Sequence, residues 1–314
     1  MYTVLTKSPD EAAVFIKKGE VVAFPTETVY GLGADVFNSS AVLKIFKAKN
    51  RPVDNPLIVH ISSLEQIPLL AKKTNPLAEL LIERFFPGPL TIVLPKTEKV
   101  PTLVTAGLDT VGIRMPKHNL ALQFLRACET PVCAPSANLS GKPSPTDWES
   151  VYEDLNGKIS CILQGEVTEI GLESTVVDCS EEKPLVLRLG AVSVEELREI
   201  VPDIKVHLPR SGESVKSPGL KHRHYAPEAE VCLVHSVDEF LEEASRNAFI
   251  GLTDPKVSFG LKKVCKSIEE YAHEIYGFFR QCDRLGIRKI YCEIVPEKGI
   301  GMTLMDRLKR AARR

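Results

Sequence analysis

Over the first two hundred residues, short runs in which apolar and polar positions alternate are separated by stretches where apolar positions recur every three or four residues. The alternating runs predict strands near 21–24, 57–61, 90–94, 110–115, 131–134, 174–178 and 185–189. The amphipathic stretches predict helices over 9–18, 40–48, 76–86, 119–128 and 194–200. Several helices carry their own punctuation: Asn75-Pro76 opens the third, Pro87-Gly88-Pro89 closes it, and Ser193 with Glu196 forms a capping box for the last. This mixture predicts an α/β (α+β) domain built on a twisted mixed sheet with flanking helices.

From Pro209 to Pro227 the periodicity disappears and the chain reads PRSGESVKSPGLKHRHYAP, rich in Ser, Gly, Pro and basic residues. Beyond it, strands are expected near 230–234, 247–252 and 288–294 and helices near 237–244, 268–284 and 302–313. The expected organisation is a first domain over 1–208, a linker over 209–228 and a small Rossmann-like α/β domain over 229–314.

Composition changes this picture little. The 314 residues are 44% hydrophobic and 26% charged, ordinary for a soluble globular chain. The first residues have no signal-peptide core, and no window approaches the roughly 18 apolar residues of a membrane helix, so a cytoplasmic protein is expected. Eight scattered cysteines form no C-x-x-C pair and read as small buried hydrophobes, with Cys133 set apart by its closeness to a polar motif. Residues 1–205 hold 21 Lys/Arg and 26 Asp/Glu (net −5), and the remainder 19 and 15 (net +4). An acidic first part argues against a general nucleic-acid surface. The terminal cluster Arg307, Lys309, Arg310, Arg313 and Arg314 reads as a solvated, frayed helix end.

The informative residues are cations in apolar surroundings. In 57–61, Leu57, Val59 and Ile61 share one strand face while Ile58 and His60 share the other; a lone histidine there is more often a satisfied core residue than a catalyst. In 110–115, Val111, Ile113 and Met115 oppose Thr110, Gly112 and Arg114. In 185–189, leucines alternate with Val186 and Arg188. A strand arginine cannot shed its charge, so burial costs several kcal/mol unless an anion pairs with it. Lys49 and Arg51 are expected to be displayed where a helix must end before Pro52, a placement that helix-dipole complementarity alone also explains. Together these cations, in a domain of net negative charge, suggest one concave positive pocket for a ligand with several anionic groups. The polar turn in VVAFPTETVYGLG (21–33), the segment APSANLSGKPSP with Ser136, Asn138 and Ser144, and GLEST with Ser174 and Thr175 add neutral donors. Neither a dinucleotide fingerprint nor a P-loop is present, and no covalent nucleophile stands out.

In this order the segments FPTETVYGLG (24–33), KAKNRP (47–52), NPLIVHI (55–61), FFPGPLT (85–91), VGIRMP (111–116), APSANLSG (134–141), ESTVVD (173–178) and LRLGAVS (187–193) resemble the YrdC-like family. With SPGLKHRHYAP (217–227) and IGMTLMDRLKRAA (300–312), the resemblance is to its long, two-domain threonylcarbamoyl-AMP synthases and covers nearly the whole chain. It implies an enzyme that joins L-threonine, bicarbonate and ATP into threonylcarbamoyl-adenylate with release of pyrophosphate, using magnesium alongside ATP, for modification of tRNA beside the anticodon by a downstream transferase. It also implies Thr28, His60, Arg114, Ala134 and Ser174 as threonine residues, and Lys49, Arg51, Asn55, Thr110, Ser136, Asn138, Ser144 and Arg188 as ATP residues. The same resemblance implies Lys49 and Arg51 as the catalytic pair, no protein metal ligands, and Tyr225 on the linker as an ATP residue that closes over the nucleotide. An RNA-binding module is the rival class; the acidic first domain and the lack of aromatic-plus-basic runs lead us to expect little direct RNA contact. A carbamoyl-transferring maturation factor would carry zinc-binding cysteine motifs that this chain lacks.

Overall fold

The structure, a computed structural model, describes residues 2–207, 225–235 and 244–313. Its first domain is an eleven-stranded sheet made of β1 (Val4–Thr6), β2 (Val22–Phe24), β3 (Gly31–Asp35), β4 (Ile58–His60), β5 (Leu90–Pro95), β6 (Thr110–Arg114), β7 (Val132–Ala134), β8 (Cys161–Leu163), β9 (Thr175–Asp178), β10 (Leu185–Arg188) and β11 (Lys205–Val206). The spatial order is β1-β8-β2-β3-β7-β4-β6-β5-β9-β10-β11. Parallel and antiparallel pairs are mixed; β4 runs parallel to β6 but antiparallel to β7.

Helices cover both faces. On one side α1 (Pro9–Lys17) and α5 (Asn119–Cys128) bury Ala12, Ile16, Phe124 and Leu125 against Val22, Phe24 and Leu163. On the other, α2 (Ser39–Lys49), α3 (Ile67–Leu70), α4 (Pro76–Phe85), α6 (Trp148–Leu155) and α7 (Val194–Ile200) pack on the larger core through Ile45, Leu70, Leu81, Val151 and Leu197. The expected caps form: Asn75 accepts from Ala78 N, Pro76 sits in the first turn of α4, and Ser193 and Glu196 close a capping box.

Where the sequence shows a polar turn running into Gly31-Leu32-Gly33, the chain instead turns and returns as β3, antiparallel to β2. The glycines serve the sheet here: a Cβ on Gly33 would stand 2.6 Å from Val132 Cγ1. β10 also departs from simple alternation. A register shift between Val186 and Arg188 sets Val186 opposite Val177 and Arg188 opposite Val176. Val186 thus joins the main core with Val177, and Leu187 joins Ile58, Val93 and Val176 on the opposite face. The bulge therefore aims Arg188 to the face of His60 and Arg114, away from the Val186 side on which strict period two would put it.

The second domain is a four-stranded all-parallel sheet of β12 (Glu230–Val234), β13 (Ala248–Gly251), β14 (Leu261–Val264) and β15 (Lys289–Glu293), in the order β12-β15-β13-β14. It is covered by α8 (Ile268–Arg284) and α9 (Ile300–Ala311). The helix expected at 237–244 falls on residues outside the described ones, except Ala244, which opens a single 3-10 turn. The linker expected over 209–228 lies outside them up to residue 224. The second domain's apolar cluster takes in Val29 and Leu172 of the first domain, so the two domains share packed surface. At this seam Gly171 (φ +80°) approaches α8 so closely that a Cβ would lie 2.4 Å from the His273 carbonyl oxygen. Among the described residues no helix is long and apolar enough to cross a membrane.

Candidate active site

Parallel pairing of β4 with β6 puts His60 directly beside Arg114, on the sheet face opposite Val59 and Ile113. His60 meets Phe24 edge-on at 5.7 Å. Burial and the adjacent Arg114 push its pKa down to about 3, so it stands as a neutral imidazole. The Arg114 guanidinium lies 2.8 Å from the Glu27 carboxylate, both groups being buried. The two are not aligned for a hydrogen bond, and among the described residues Arg114 Nε and Nη2, both Glu27 oxygens and His60 Nδ1 have no hydrogen-bond partner. The charge of Arg114 is thus balanced while its donor fork is unsaturated, a costly arrangement in the interior that suits capture of a ligand carboxylate.

The end of α2 differs from the expected display of cations at a frayed terminus. Asn50 takes the left-handed conformation (φ 50°) and reverses the chain. Lys49 and Arg51 are consequently turned inward, 2% and 7% exposed. Lys49 Nζ donates to the carbonyl oxygens of Ser136 (2.6 Å) and Asn138 (2.5 Å), pinning the segment that carries the Ser136 hydroxyl. Burial, reinforced by Arg51, holds its ammonium pKa well below the ordinary lysine value. Arg51 Nη2 makes two longer bonds, to Asn55 O (3.3 Å) and Pro56 O (3.2 Å), while its Nε and Asn55 Nδ2 have no partner among the described residues. Burial lowers the Arg51 pKa to about 10, which still leaves it charged at neutral pH.

Arg188, aimed by the bulge, donates from Nη2 to Ser174 O (2.7 Å) and Ser174 Oγ (3.0 Å). Ser174 Oγ also pairs with Thr91 Oγ1 at 2.8 Å. The neighbouring Glu173 is buried yet ionised, because Arg307 and Arg188 outweigh the burial that would raise its pKa. It receives Ser144 Oγ (2.7 Å), Tyr276 OH (3.1 Å) and Arg307 Nε (2.9 Å).

These groups converge on one partly open cavity. Of the residues singled out in the sequence, Arg51, His60, Arg114, Ala134, Ser136, Ser174, Arg188 and Tyr225 line it. Thr28, Lys49, Asn55, Thr110, Asn138 and Ser144 do not form its wall. Thr28 is buried against Thr26 Oγ1 (2.9 Å), Asn138 accepts from Ser136 Oγ (2.5 Å), and Thr110 opens β6 half-exposed. Sequence reasoning left Glu27 and Glu173 without roles and missed the buried second-domain residues Tyr276, Arg280 and Arg307. The solvated-tail reading fails for Arg307, which is 1% exposed. Cys133 is fully buried, and burial raises its thiol pKa, so its place near the motif reflects packing. Among the described residues no group of three or more His, Cys, Asp or Glu side chains could hold a metal ion.

Comparison with known proteins agrees with this architecture. The Sua5/YciO/YrdC family model, described as "Telomere recombination", matches residues 14–190, and the model "Threonylcarbamoyl-AMP synthase, C-terminal domain" matches residues 192–313. A Pyrococcus abyssi protein named threonylcarbamoyl-AMP synthase is 47% identical over 96% of this chain and 93% of its own length. A Bacillus subtilis protein of the same name is 42% identical over 96% and 92%. The crystal structure of P. abyssi Sua5 complexed with L-threonine superposes with a TM-score of 0.92 at 43% identity, covering 99% of this chain and 97% of that one. The chain belongs to the YrdC-like family, in its two-domain threonylcarbamoyl-AMP synthase branch. It is an enzyme of the nucleotidyltransferase kind.

Proposed function

We propose that this cavity condenses L-threonine, bicarbonate and ATP into threonylcarbamoyl-AMP with release of pyrophosphate. The observation that carries the reading is the convergence of Arg51, Arg114 and Arg188 on one cavity, with buried donors on Arg51 and Arg114 that have no hydrogen-bond partner among the described residues. Such a site gains most from a ligand bearing several anionic groups. A P. abyssi relative, crystallised with L-threonine, supports threonine as one of them.

In this reading the threonine carboxylate meets Arg114, and the neutral His60 accepts or donates one hydrogen bond at the amine or hydroxyl. The threonine amine attacks the carbon of bicarbonate, expelling water, to give a carbamate. A carbamate oxygen then attacks the α-phosphorus of ATP as the bond to pyrophosphate breaks. The chain's contribution is to hold the reactants together and neutralise charge: Arg51, Arg188 and the Ser136 hydroxyl face the phosphates, and Lys49 holds the Ser136–Asn138 segment in place. Thr28, Ala134 and Ser174 belong to the threonine end, and Asn55, Thr110, Asn138 and Ser144 support the nucleotide end. Magnesium arrives with the triphosphate and supplies further charge neutralisation. The acidic side chain on the cavity wall, Glu173, is already occupied by three donors, which fits a metal held by phosphate and water. The product is used by a transferase acting on tRNA in the cytoplasm.

Ligand-induced stabilisation tests the reading against an RNA-binding role. ATP and L-threonine should each raise the melting temperature, since a ligand at about 100 times its Kd adds roughly 2.7 kcal/mol. A rise with tRNA and none with ATP or threonine would overturn it.

A further inference from the structure

We propose that Arg307, on α9 of the second domain, is a positioning residue that sets Tyr225 as a wall of the catalytic cavity. The second domain is then part of the machinery for ATP. The proposal rests on the adenylation reading for its assay, while its geometry is independent of that reading.

Arg307 is buried at a meeting point of three segments. Its Nε donates to Glu173 Oε2 (2.9 Å) in the first domain, its Nη2 to Leu189 O (2.7 Å), and its Nη1 to Asp306 Oδ2 (2.5 Å). The guanidinium carbon lies over the Tyr225 ring, 4.8 Å from its centroid. Tyr225 also stacks on Tyr276 of α8 at 5.7 Å with an interplanar angle of 18°. Tyr276 and Arg307, which pack against its ring, both come from the second domain. The backbone of Tyr225 has φ 68°, a region that a bulky residue occupies only where its surroundings impose it. Its neighbour is tied as well, Ala226 N donating to Gly141 O at 3.1 Å.

The opposite end of this arrangement is the cavity itself. Tyr225 and Glu173 both line it, and the next residue, Ser174, receives Arg188. Arg307 thus holds Tyr225 in the wall without lining the cavity, while Glu173 keeps Ser144 and Tyr276 as further donors. Only arginine fits this duty: the planar guanidinium presents a face to the ring while its edge forks to acceptors on separate segments, whereas a lysine ammonium keeps the charge and loses both geometries. Despite burial, the neighbouring Tyr225 and Glu173 hold its pKa above the ordinary arginine value, so the charge is permanent. A second buried arginine, Arg280 of α8, also reaches across to the first domain, donating to Pro143 O (2.6 Å) and Asp154 Oδ2 (2.9 Å).

The test compares the full chain with Arg307→Lys, Tyr225→Ala and the double variant, measuring the KM for ATP, kcat and the Kd for threonine without ATP. Arg307→Lys should raise the ATP KM about ten-fold, roughly one decade of affinity, and leave threonine binding within two-fold (about the precision of such comparisons). Because Arg307 acts through Tyr225, the double variant should be no worse toward ATP than Tyr225→Ala alone. Multiplying losses, or an Arg307→Lys enzyme with the parent's ATP KM, would overturn the proposal. If Arg307→Lys melts below the assay temperature, Arg307→Met replaces it in the same cycle, since Ser144 and Tyr276 still donate to Glu173. A parent chain that makes no adenylate would refute the adenylation reading instead; Tyr225 would then be followed through ATP binding, with the same additivity criterion.

Discussion

Replacing Lys49 by Met separates two roles that proximity in sequence blurs. Lys49 and Arg51 are two residues apart, yet only Arg51 reaches the cavity wall, while Lys49 Nζ spends its donors on the carbonyls of Ser136 and Asn138. A charged hydrogen bond contributes roughly 1.5–3 kcal/mol, and loss of two is partly offset by removing the desolvation cost of a buried ammonium. Methionine fills most of the volume, so the expected net loss is ~2–4 kcal/mol, or a fall of roughly 4–16 °C in Tm for a unit of about 200 residues. Arg51→Met gives up two longer bonds, 3.2 and 3.3 Å, and should cost less than half as much stability. It should weaken ATP by one to two decades (about 1.5–3 kcal/mol). Calorimetric melts paired with titration calorimetry for ATP read both effects. The reasoning fails if Lys49→Met melts like the parent while ATP affinity alone collapses, because Nζ would then serve the ligand directly.

Three further outcomes follow from the same geometry. Arg114→Lys keeps the charge that Glu27 balances but loses the fork, so the threonine requirement should rise at least ten-fold (about 1.4 kcal/mol) with the ATP KM little changed; parent-like threonine kinetics would make Arg114 purely structural. His60 is neutral when folded, with a pKa of about 3 against an ordinary 6.5, so the unfolded chain binds a proton that the folded chain refuses between those values. Stability should therefore fall as pH drops through that window, by up to about 1.4 kcal/mol per unit, and chemical denaturation of His60→Gln should show a slope shallower by nearly one proton. Arg280→Met leaves the buried Asp154 with the Leu139 amide (3.2 Å) and the half-exposed Lys142 (3.4 Å) and should lower the melting temperature by several degrees, roughly 3 kcal/mol, with threonine affinity preserved in calorimetry.

Periodicity made the sheet's two faces readable: Val59 and Ile113 went to the core and His60 and Arg114 to the cavity, as alternation requires. The fold class and the capped helices followed from equally local signals. What alternation could not supply was the bulge that turns Arg188 round, since a one-residue irregularity leaves the apolar pattern of PLVLRLG unchanged. β1 and β8 are three residues each, too short for a period to register. The inward turn of Lys49 and Arg51 depends on one left-handed residue, Asn50, and looks in sequence like any helix end rich in cations. Arg307 was hidden for a similar reason: it sits in a basic helical tail, and only the partners that meet there, Glu173 and Tyr225, distant in sequence, reveal it as buried.

The most direct test of the central claim is isotopic. The purified full chain is incubated with ATP, magnesium, L-threonine and carbon-13 bicarbonate, and the products are resolved by mass spectrometry. An adduct of AMP and threonine carrying one labelled carbon, formed in step with pyrophosphate, is the expected result. An unlabelled threonyl-AMP would place the threonine carboxylate rather than a carbamate at the phosphorus, and ATP consumption with no threonine adduct would contradict the claim altogether.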